Sequence, residues 1–218
     1  NDLGYQSITV PGSLLAYYEA QTGYGTLPWE EVVQPAIEHA EAGFVVRPRV
    51  YGFWTQRDES GRVYTGDRLR HTEPARRIYY GTGSELPIPG SRVRNPDLAH
   101  TLKRIARGGA EIFYRGEIAR EIAADMERNG GLLSLDDLGN YRTEHTEPLW
   151  GEYRGNRIAT NRPPGGGVML IEMLHMLEHF ELGSLEHNSS EYMRIVSEAM
   201  KRATRDKERF VGDPRFVD

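Results

Sequence analysis

Two histidines and a glutamate stand in the order His-x-x-Glu-His at His175, Glu178 and His179. This spacing is that of the inverted zinc-peptidase signature. On a helix, residues four positions apart share a face, so both imidazoles would lie on one side, as two zinc ligands require. A catalytic zinc also needs a third protein ligand, and Glu191 and Glu198 on the next predicted helix are the nearby candidates.

The same helix also fits a plain amphipathic pattern. Glu172, His175, Glu178 and His179 group on the side opposite a broad apolar face. Histidine and glutamate are ordinary residues on a polar helix face, so the pattern favours a solvated or partner-facing helix, and we predict no metal site. The apolar positions are Met169, Leu170, Met173, Leu174, Met176, Leu177 and Phe180.

Three glycines, Gly165, Gly166 and Gly167, stand directly before this helix in the segment PPGGG. Backbone N–H groups at a helix start can bind an anion or an oxyanion, with help from the helix dipole. The segment is neither a GxGxxG fingerprint nor a P-loop, since GK[ST] is missing. A tight strand-to-helix turn with glycines at positive φ fits equally well. Both interpretations stay open, and the three glycines are our candidate substrate-binding residues.

The sequence lacks motifs and residues that several other catalytic mechanisms require. There is no GxSxG elbow, and an N-terminal nucleophile needs Thr, Ser or Cys at residue 1, which is Asn1. The chain has no cysteine, which excludes thiolate chemistry and disulfides. No serine, thiol or N-terminal nucleophile can be assigned from these residues, and we name no catalytic residue and no cofactor.

Composition bounds the class of protein and its partners. The 218 residues carry 27 Lys and Arg against 32 Asp and Glu, and this mixed, mildly acidic balance argues against a nucleic-acid partner. No run of about 18 apolar residues occurs, so we predict no membrane span. The chain has neither an initial Met nor a signal peptide, and a mature fragment of a longer protein is the expectation.

Mostly helical elements must position these residues. Proline stands just inside predicted helix starts, as at Pro11, Pro28 and Pro96, and a capping-box pattern links Ser134 to Asp137. Residues 45–92 read as helical pieces and ordered loops, and Gly155-Asn156 is the hairpin signal. The longer helices are predicted at 11–25, 28–43, 95–109, 117–131, 167–181 and 189–210.

Taken in order, several segments resemble the large subunit of gamma-glutamyltransferases. They are GTLPW, FYRGEIA, NGGLLSLDDL, YRG, PPGGG and GDPRFVD. The match runs from about Ile8 to the last residue, and residues 45–92 are its weak stretch. Each segment is a modest signal, but the series is specific because order and spacing agree.

The resemblance implies an α+β chain, a helix-rich fragment of an αββα N-terminal-nucleophile hydrolase sandwich, forming a single partial domain over residues 1–218. It implies a precursor that cuts itself into two subunits. A Thr at the start of the small subunit, beyond Asp218, would attack γ-glutamyl amides such as glutathione. The arginine that binds the substrate α-carboxylate would lie upstream of Asn1. This chain is then a scaffold portion that is inactive alone.

The resemblance also bears on partners and on the motifs. The implied partners are the small subunit of the same precursor, γ-glutamyl small molecules and amino-acid or peptide acceptors, and relatives are often periplasmic or secreted. Relatives commonly place hydroxyl residues between the prolines and the glycines. Here Pro164 runs directly into Gly165, which leaves only backbone donors. At the position of His175 relatives usually carry Asn, and they carry Glu at that of Glu178.

Rival interpretations remain within and outside this family. A glutaryl or cephalosporin-type acylase and a poly-γ-glutamate processing enzyme would share the scaffold and differ in the pocket. From other classes, a zinc peptidase would use His175, Glu178 and His179, and a non-catalytic binding module would keep the scaffold without the chemistry.

Overall fold

The computed structural model describes residues 3–57 and 61–216, and the chain forms two compact units, Asn1–Thr143 and Glu144–Asp218. Each unit has its own hydrophobic core. The prediction of one partial domain over residues 1–218 stays a prediction, because compactness alone does not say whether the units fold separately. The last two residues of the GDPRFVD segment lie outside the described residues.

Helices dominate the first unit. Its only regular β-structure in the described part is an antiparallel pair of two-residue strands, β1 (Phe44–Val45) and β2 (Arg92–Val93). The predicted helical pieces between them are confirmed, whereas the strand pair was not predicted. The helices are α1 (Ser13–Tyr24), α2 (Trp29–Ala42), α3 (Pro48–Thr55), α4 (Thr65–Arg68), α5 (Glu73–Tyr79), α6 (Pro96–Tyr114), α7 (Glu117–Arg128) and α8 (Leu135–Asn140).

Helix α2 confirms its predicted stop, but Pro28 stands at the N-cap position and not inside the helix as predicted, and Pro11 likewise precedes α1. Helix α2 begins directly after Pro28 and ends before Gly43, whose φ of 84° is a conformation that glycine adopts at no steric cost. The predicted apolar stripe is buried at Val33, Ile37 and Ala40. Two of these residues, Val33 and Ile37, form a core cluster with Ala106 of α6, so α2 and α6 pack together through the face that periodicity indicated.

Helix α6 differs from the prediction at its glycine pair. The sequence predicted a helix end there, but helix resumes after a kink at Gly109, whose φ is 63° and ψ −159°. The Tyr18 hydroxyl lies only 2.8 Å from where a Cβ on Gly109 would stand. At the kink Trp29 Nε1 donates to the Ile105 carbonyl at 3.1 Å, the group that the Gly109 N–H would bond in a regular helix. Tertiary contacts therefore stabilise both sides of the kink.

The end of α6 lies in the main core of the first unit. Tyr114 is 2% exposed, and its hydroxyl donates to the Pro11 carbonyl and accepts the Leu15 N–H at 3.1 Å. Burial raises the pKa of this hydroxyl. The predicted cap of α8 is confirmed, since the Asp137 N–H donates to Ser134 Oγ at 3.2 Å and the Ser134 N–H donates back to Asp137 Oδ2 at 2.8 Å.

The second unit contains a hairpin and two long helices. Strands β3 (Leu149–Tyr153) and β4 (Asn156–Thr160) pair antiparallel, followed by α9 (Gly167–Glu178) and α10 (Ser190–Phe210). The hairpin prediction is confirmed with a shift of one residue, because Arg154 and Gly155 take the positive-φ turn positions and Asn156 already begins β4. Helix α9 ends at residue 178, three residues before the prediction.

The helix-rich α+β class is confirmed for the described residues. None of the helices in residues 3–57 and 61–216 combines the length and the apolar character needed to cross a membrane.

Candidate functional site

The three candidate glycines form the connection between β4 and α9. The Gly165 N–H donates to the Arg162 carbonyl at 2.9 Å, which closes a turn after the strand. Gly166 precedes the helix at φ −78° and ψ 6°, and its carbonyl accepts the Leu170 N–H at 3.1 Å. The helix proper begins at Gly167, which is buried.

Close packing, not positive φ, requires two of these glycines. None of the three is among the described residues with positive φ, so the positive-φ interpretation of this turn is wrong. A Cβ on Gly165 would stand 1.8 Å from Asn161 Nδ2, and one on Gly167 would stand 2.1 Å from the Asn161 carbonyl. A Cβ on Gly166 would meet nothing within 4 Å. Gly166 thus faces open space between two tightly packed neighbours.

The turn presents several hydrogen-bond donors. No side chain caps the start of α9, and within the described residues the Gly166 N–H has no hydrogen-bond acceptor. The first N–H groups of a helix have no partner within the helix, and the helix dipole makes this end attractive to negative charge. Nearby, Asn161 uses its Oδ1 to accept from Thr160 Oγ1 at 3.2 Å. The arrangement can bind an anion or an oxyanion, but it contains no nucleophile.

Helix α9 lies along the hairpin and is attached to it at both ends and in the middle. At its start Gly167 packs on Thr160, and midway Ile171 fills the space beside Gly151, where a Cβ would stand 2.8 Å from its Cγ1. At its end Glu178 Oε1 accepts the backbone N–H of Arg154 at 2.6 Å. These contacts set the position of the glycine turn relative to β4.

The contribution of Arg154 was not predicted from the sequence. Neither the type of this residue nor its position in the sequence indicates that its backbone N–H will lie within reach of Glu178 at the end of α9. Its guanidinium Nη2 also donates to the Phe180 carbonyl at 2.8 Å. A non-glycine residue at φ 48° is uncommon, and this pair of contacts stabilises it.

The histidines and the glutamate of the His-x-x-Glu-His pattern separate in the structure. His175 and His179 are exposed and line one groove of about 540 Å³ together with Glu172, while Glu178 turns to the hairpin. The groove also contains Leu149, Trp150, Val168, Ile171 and Met176.

The zinc-peptidase hypothesis gains no third ligand. Its candidates are engaged in ion pairs on α10, Glu191 with Arg194 at 2.6 Å and Glu198 with Lys201 at 3.3 Å. Over residues 3–57 and 61–216 no group of three His, Asp or Glu side chains is arranged to hold a metal ion.

One carboxylate in this region has a shifted pKa. Glu172 lies between α9 and α10, where burial, and then the nearby carboxylate of Asp206, raise its pKa above the ordinary value. Arg205 opposes this shift. The ionised form of Glu172 is therefore disfavoured where the two helices pack.

Comparison with known families places the whole chain in one of them. Residues 1–218 match the family described as gamma-glutamyltranspeptidase. The chain is 39% identical to the Acylase ACY 1 proenzyme of Pseudomonas sp. (strain SE83), over 100% of its own length and 38% of that protein. It is 34% identical to the Glutathione hydrolase proenzyme of Escherichia coli (strain K12), over 95% of the chain and 34% of that protein. The chain thus spans well under half of these relatives.

Solved structures agree with this family and with the fold. The gamma-glutamyltranspeptidase of Helicobacter pylori has a TM-score of 0.89 at 30% identity, covering 100% of this chain and 60% of that one. The cephalosporin acylase from Bacillus halodurans has a TM-score of 0.82 at 31% identity, covering 99% of this chain and 39% of that one.

Proposed function

Because the chain belongs to the gamma-glutamyltranspeptidase family, we propose that it is a scaffold portion of an enzyme that transfers or hydrolyses γ-glutamyl amides such as glutathione. The observation that carries this proposal is the match of residues 1–218 to the family. A relative named as a glutathione hydrolase proenzyme supports it. The chain corresponds to the later part of the large subunit.

In the proposed mechanism the chemistry belongs to a partner segment. A Thr that begins the small subunit of the same precursor attacks the γ-carbonyl, with its own α-amino group as base, and backbone N–H groups stabilise the oxyanion. The γ-glutamyl-enzyme then reacts with water or with an amino-acid or peptide acceptor. The 218 residues position helices and a hairpin around that centre and contribute no nucleophile.

We assign a substrate contact to Gly165, Gly166 and Gly167 in this enzyme. The support is the uncapped start of α9, the Gly166 N–H without an acceptor in the described chain, and the open space above Gly166. The donors would bind a carboxylate or an amide oxygen of the substrate through the backbone alone.

Alanine substitutions separate this contact from packing. Gly166→Ala adds a methyl group where nothing lies within 4 Å and where φ is −78°, so the fold should tolerate it. We expect it to lower kcat/KM of the full precursor about tenfold by blocking close approach, with an unchanged Tm. Gly167→Ala, whose Cβ would meet the Asn161 carbonyl at 2.1 Å, should instead lower Tm. Full activity of Gly166→Ala would remove the glycines from the site.

The activity itself is tested with a γ-glutamyl anilide. The purified 218-residue chain should release no aniline, because the Thr nucleophile is not among its residues, whereas the self-processed parent precursor should turn the substrate over. Release by the 218-residue chain would overturn the scaffold assignment. An inactive, correctly processed precursor would favour a non-catalytic binding module.

An acylase is the second candidate, favoured by one observation. The 39% identity to an acylase proenzyme exceeds the 34% to a glutathione hydrolase proenzyme. Matched glutaryl and γ-glutamyl amides of the same amine distinguish the two, because they differ only in the α-amino group of the donor. Preference of the precursor for the glutaryl amide would establish the acylase.

A further inference from the structure

A groove of about 480 Å³ on the first unit is lined without a single carboxylate. Its lining comes from α6 alone and consists of His100, Lys103, Arg104, Arg107, Gly108 and Ile112. The four nitrogen-bearing side chains follow the spacing i, i+3, i+4, i+7, which places them along one face of the helix. Such a stripe contrasts with the net charge of −5 of the whole chain.

Two of the cationic side chains, Lys103 and Arg104, are held by ion pairs with carboxylates that do not line the groove. Arg104 is 20% exposed, and its Nη1 and Nη2 donate to the carboxylate of Glu121 on α7 at 2.9 Å each, with Glu117 at 3.4 Å. Lys103 Nζ donates to Glu41 on α2. These pairs hold both side chains at the groove, so less side-chain entropy is lost when a ligand binds.

The ion pairs compensate the charges of Lys103 and Arg104 but not that of Arg107. The pKa of Glu121 is lowered, first by its hydrogen bond from Arg104 and further by the charges of Arg104, His100 and Arg120. A carboxylate at this edge is therefore stabilised in its ionised form by several cations at once. A second carboxylate at the groove would meet the charge of Arg107, which these pairs leave uncompensated.

Arg107 provides the free donors. It is exposed, and the described residues give it neither an ion pair nor a hydrogen bond from its side chain. A guanidinium carries five N–H donors in a planar fork that matches a carboxylate. Beside it, Ile112 packs against Gly108, where a Cβ would stand 2.9 Å from Ile112 Cβ, and adds an apolar surface.

We propose that this groove binds an extended acidic peptide segment, with one carboxylate on Arg107 and others toward Lys103 and His100. Arg107 lies seven positions after His100 on the helix, a rise of about 10 Å that exceeds the reach of one small anion. An extended chain covers that distance in about three residues. The aliphatic part of a glutamate side chain would lie on Ile112. This site is independent of the glycine turn and of the proposed activity.

Fluorescence anisotropy with a labelled hexaglutamate peptide tests the proposal on the full precursor that contains these residues. We expect binding at 20 mM salt that weakens at 200 mM, because salt screens exposed charges. Arg107→Gln should weaken it about three- to fivefold and Arg107→Glu more, since an opposed charge adds repulsion. Arg62→Gln and Arg62→Glu are matched controls at an exposed arginine outside the groove and should leave binding unchanged. Circular dichroism verifies that each variant is folded.

Three outcomes would overturn the proposal. Equal loss of affinity in the Arg62 variants would mean binding to diffuse charge. Competition by inorganic phosphate as strongly as by unlabelled hexaglutamate would mean a site for a single small anion. No binding at 20 mM salt would mean that the pairs with Glu41 and Glu121 neutralise the groove.

Discussion

At the scale of the residue, Glu178 fits two hypotheses, a role in a zinc site and a contact within the fold, and only the three-dimensional structure distinguishes them. Its place in the His-x-x-Glu-His pattern assigns it to a zinc-peptidase site, whereas its Oε1 accepts the Arg154 N–H at 2.6 Å and holds a hairpin turn. The two histidines remain exposed beside a groove. The glutamate of the His-x-x-Glu-His pattern therefore makes a hydrogen bond that connects α9 to the hairpin.

Removing this carboxylate should weaken the fold by a small, measurable amount. Glu178→Ala leaves the Arg154 N–H without its acceptor, and we expect a loss of about 1 kcal/mol in the free energy of unfolding. Urea denaturation measures it, with Glu186→Ala, an exposed position, as the control. Equal stability of the two variants would mean that the hydrogen bond from the Arg154 N–H to Glu178 does not stabilise the fold.

Zinc content provides a second test at this scale. The purified chain should contain no stoichiometric zinc, because Glu191 and Glu198 are paired with cations and Glu178 with the hairpin. Elemental analysis decides it. Stoichiometric zinc that disappears in His179→Ala would revive the peptidase hypothesis.

At the scale of the element, helices of this chain are adjusted by what packs against them. Helix α6 continues through a glycine pair because Tyr18 and Trp29 contact the kink, and α9 begins where Asn161 presses against two glycines. Local sequence sets where a helix can bend or begin, and the neighbouring element determines which option is taken.

The α9–α10 packing should depend on pH through Glu172. Its raised pKa means that the folded state holds this proton more tightly than the unfolded state, so its contribution to stability falls as pH rises through that window. Glu172→Gln cannot ionise. We therefore expect the variant to be more stable than the parent at pH 7, with no difference below about pH 4.

Thermal unfolding across pH measures this difference. Glu208→Gln removes the same charge from an exposed position of α10 and is the matched control. A gain that persists unchanged into acid, or that appears equally in the control, would contradict the role of Glu172 ionisation.

At the scale of the whole molecule, the described residues bury apolar side chains in several clusters inside two compact units. The largest side chains that are less than 2% exposed include Leu138, which completes the cluster around Tyr114 in the first unit. The buried members of three clusters come mainly from helices, so these cores are formed largely by packing between helices. The fourth cluster joins Trp54 of α3 to Val93 of β2 and to two loop residues, Val46 and Leu86.

Truncation in this core should be costly. Leu138 is 0% exposed, so Leu138→Ala should lower the free energy of unfolding by about 2–5 kcal/mol. Leu132, six residues earlier, is 73% exposed, and Leu132→Ala should change it by no more than about 0.5 kcal/mol. Denaturant unfolding of both variants measures the contrast. A comparable loss in the two would contradict the core assignment.

The sequence by itself determined the helices, the cap of α8, the hairpin and the family, because periodicity, capping residues and motif order are local or linear properties. Tertiary structure alone decided three points: the continuation of α6 past Gly109, the partner of Glu178, and the reason for Gly165 and Gly167. The first two depend on a residue distant in sequence, Tyr18 or Arg154, that packing brings near, and the third depends on how the turn folds Asn161 back against the two glycines. No spacing rule along the chain encodes which backbone will approach a given glycine or carboxylate.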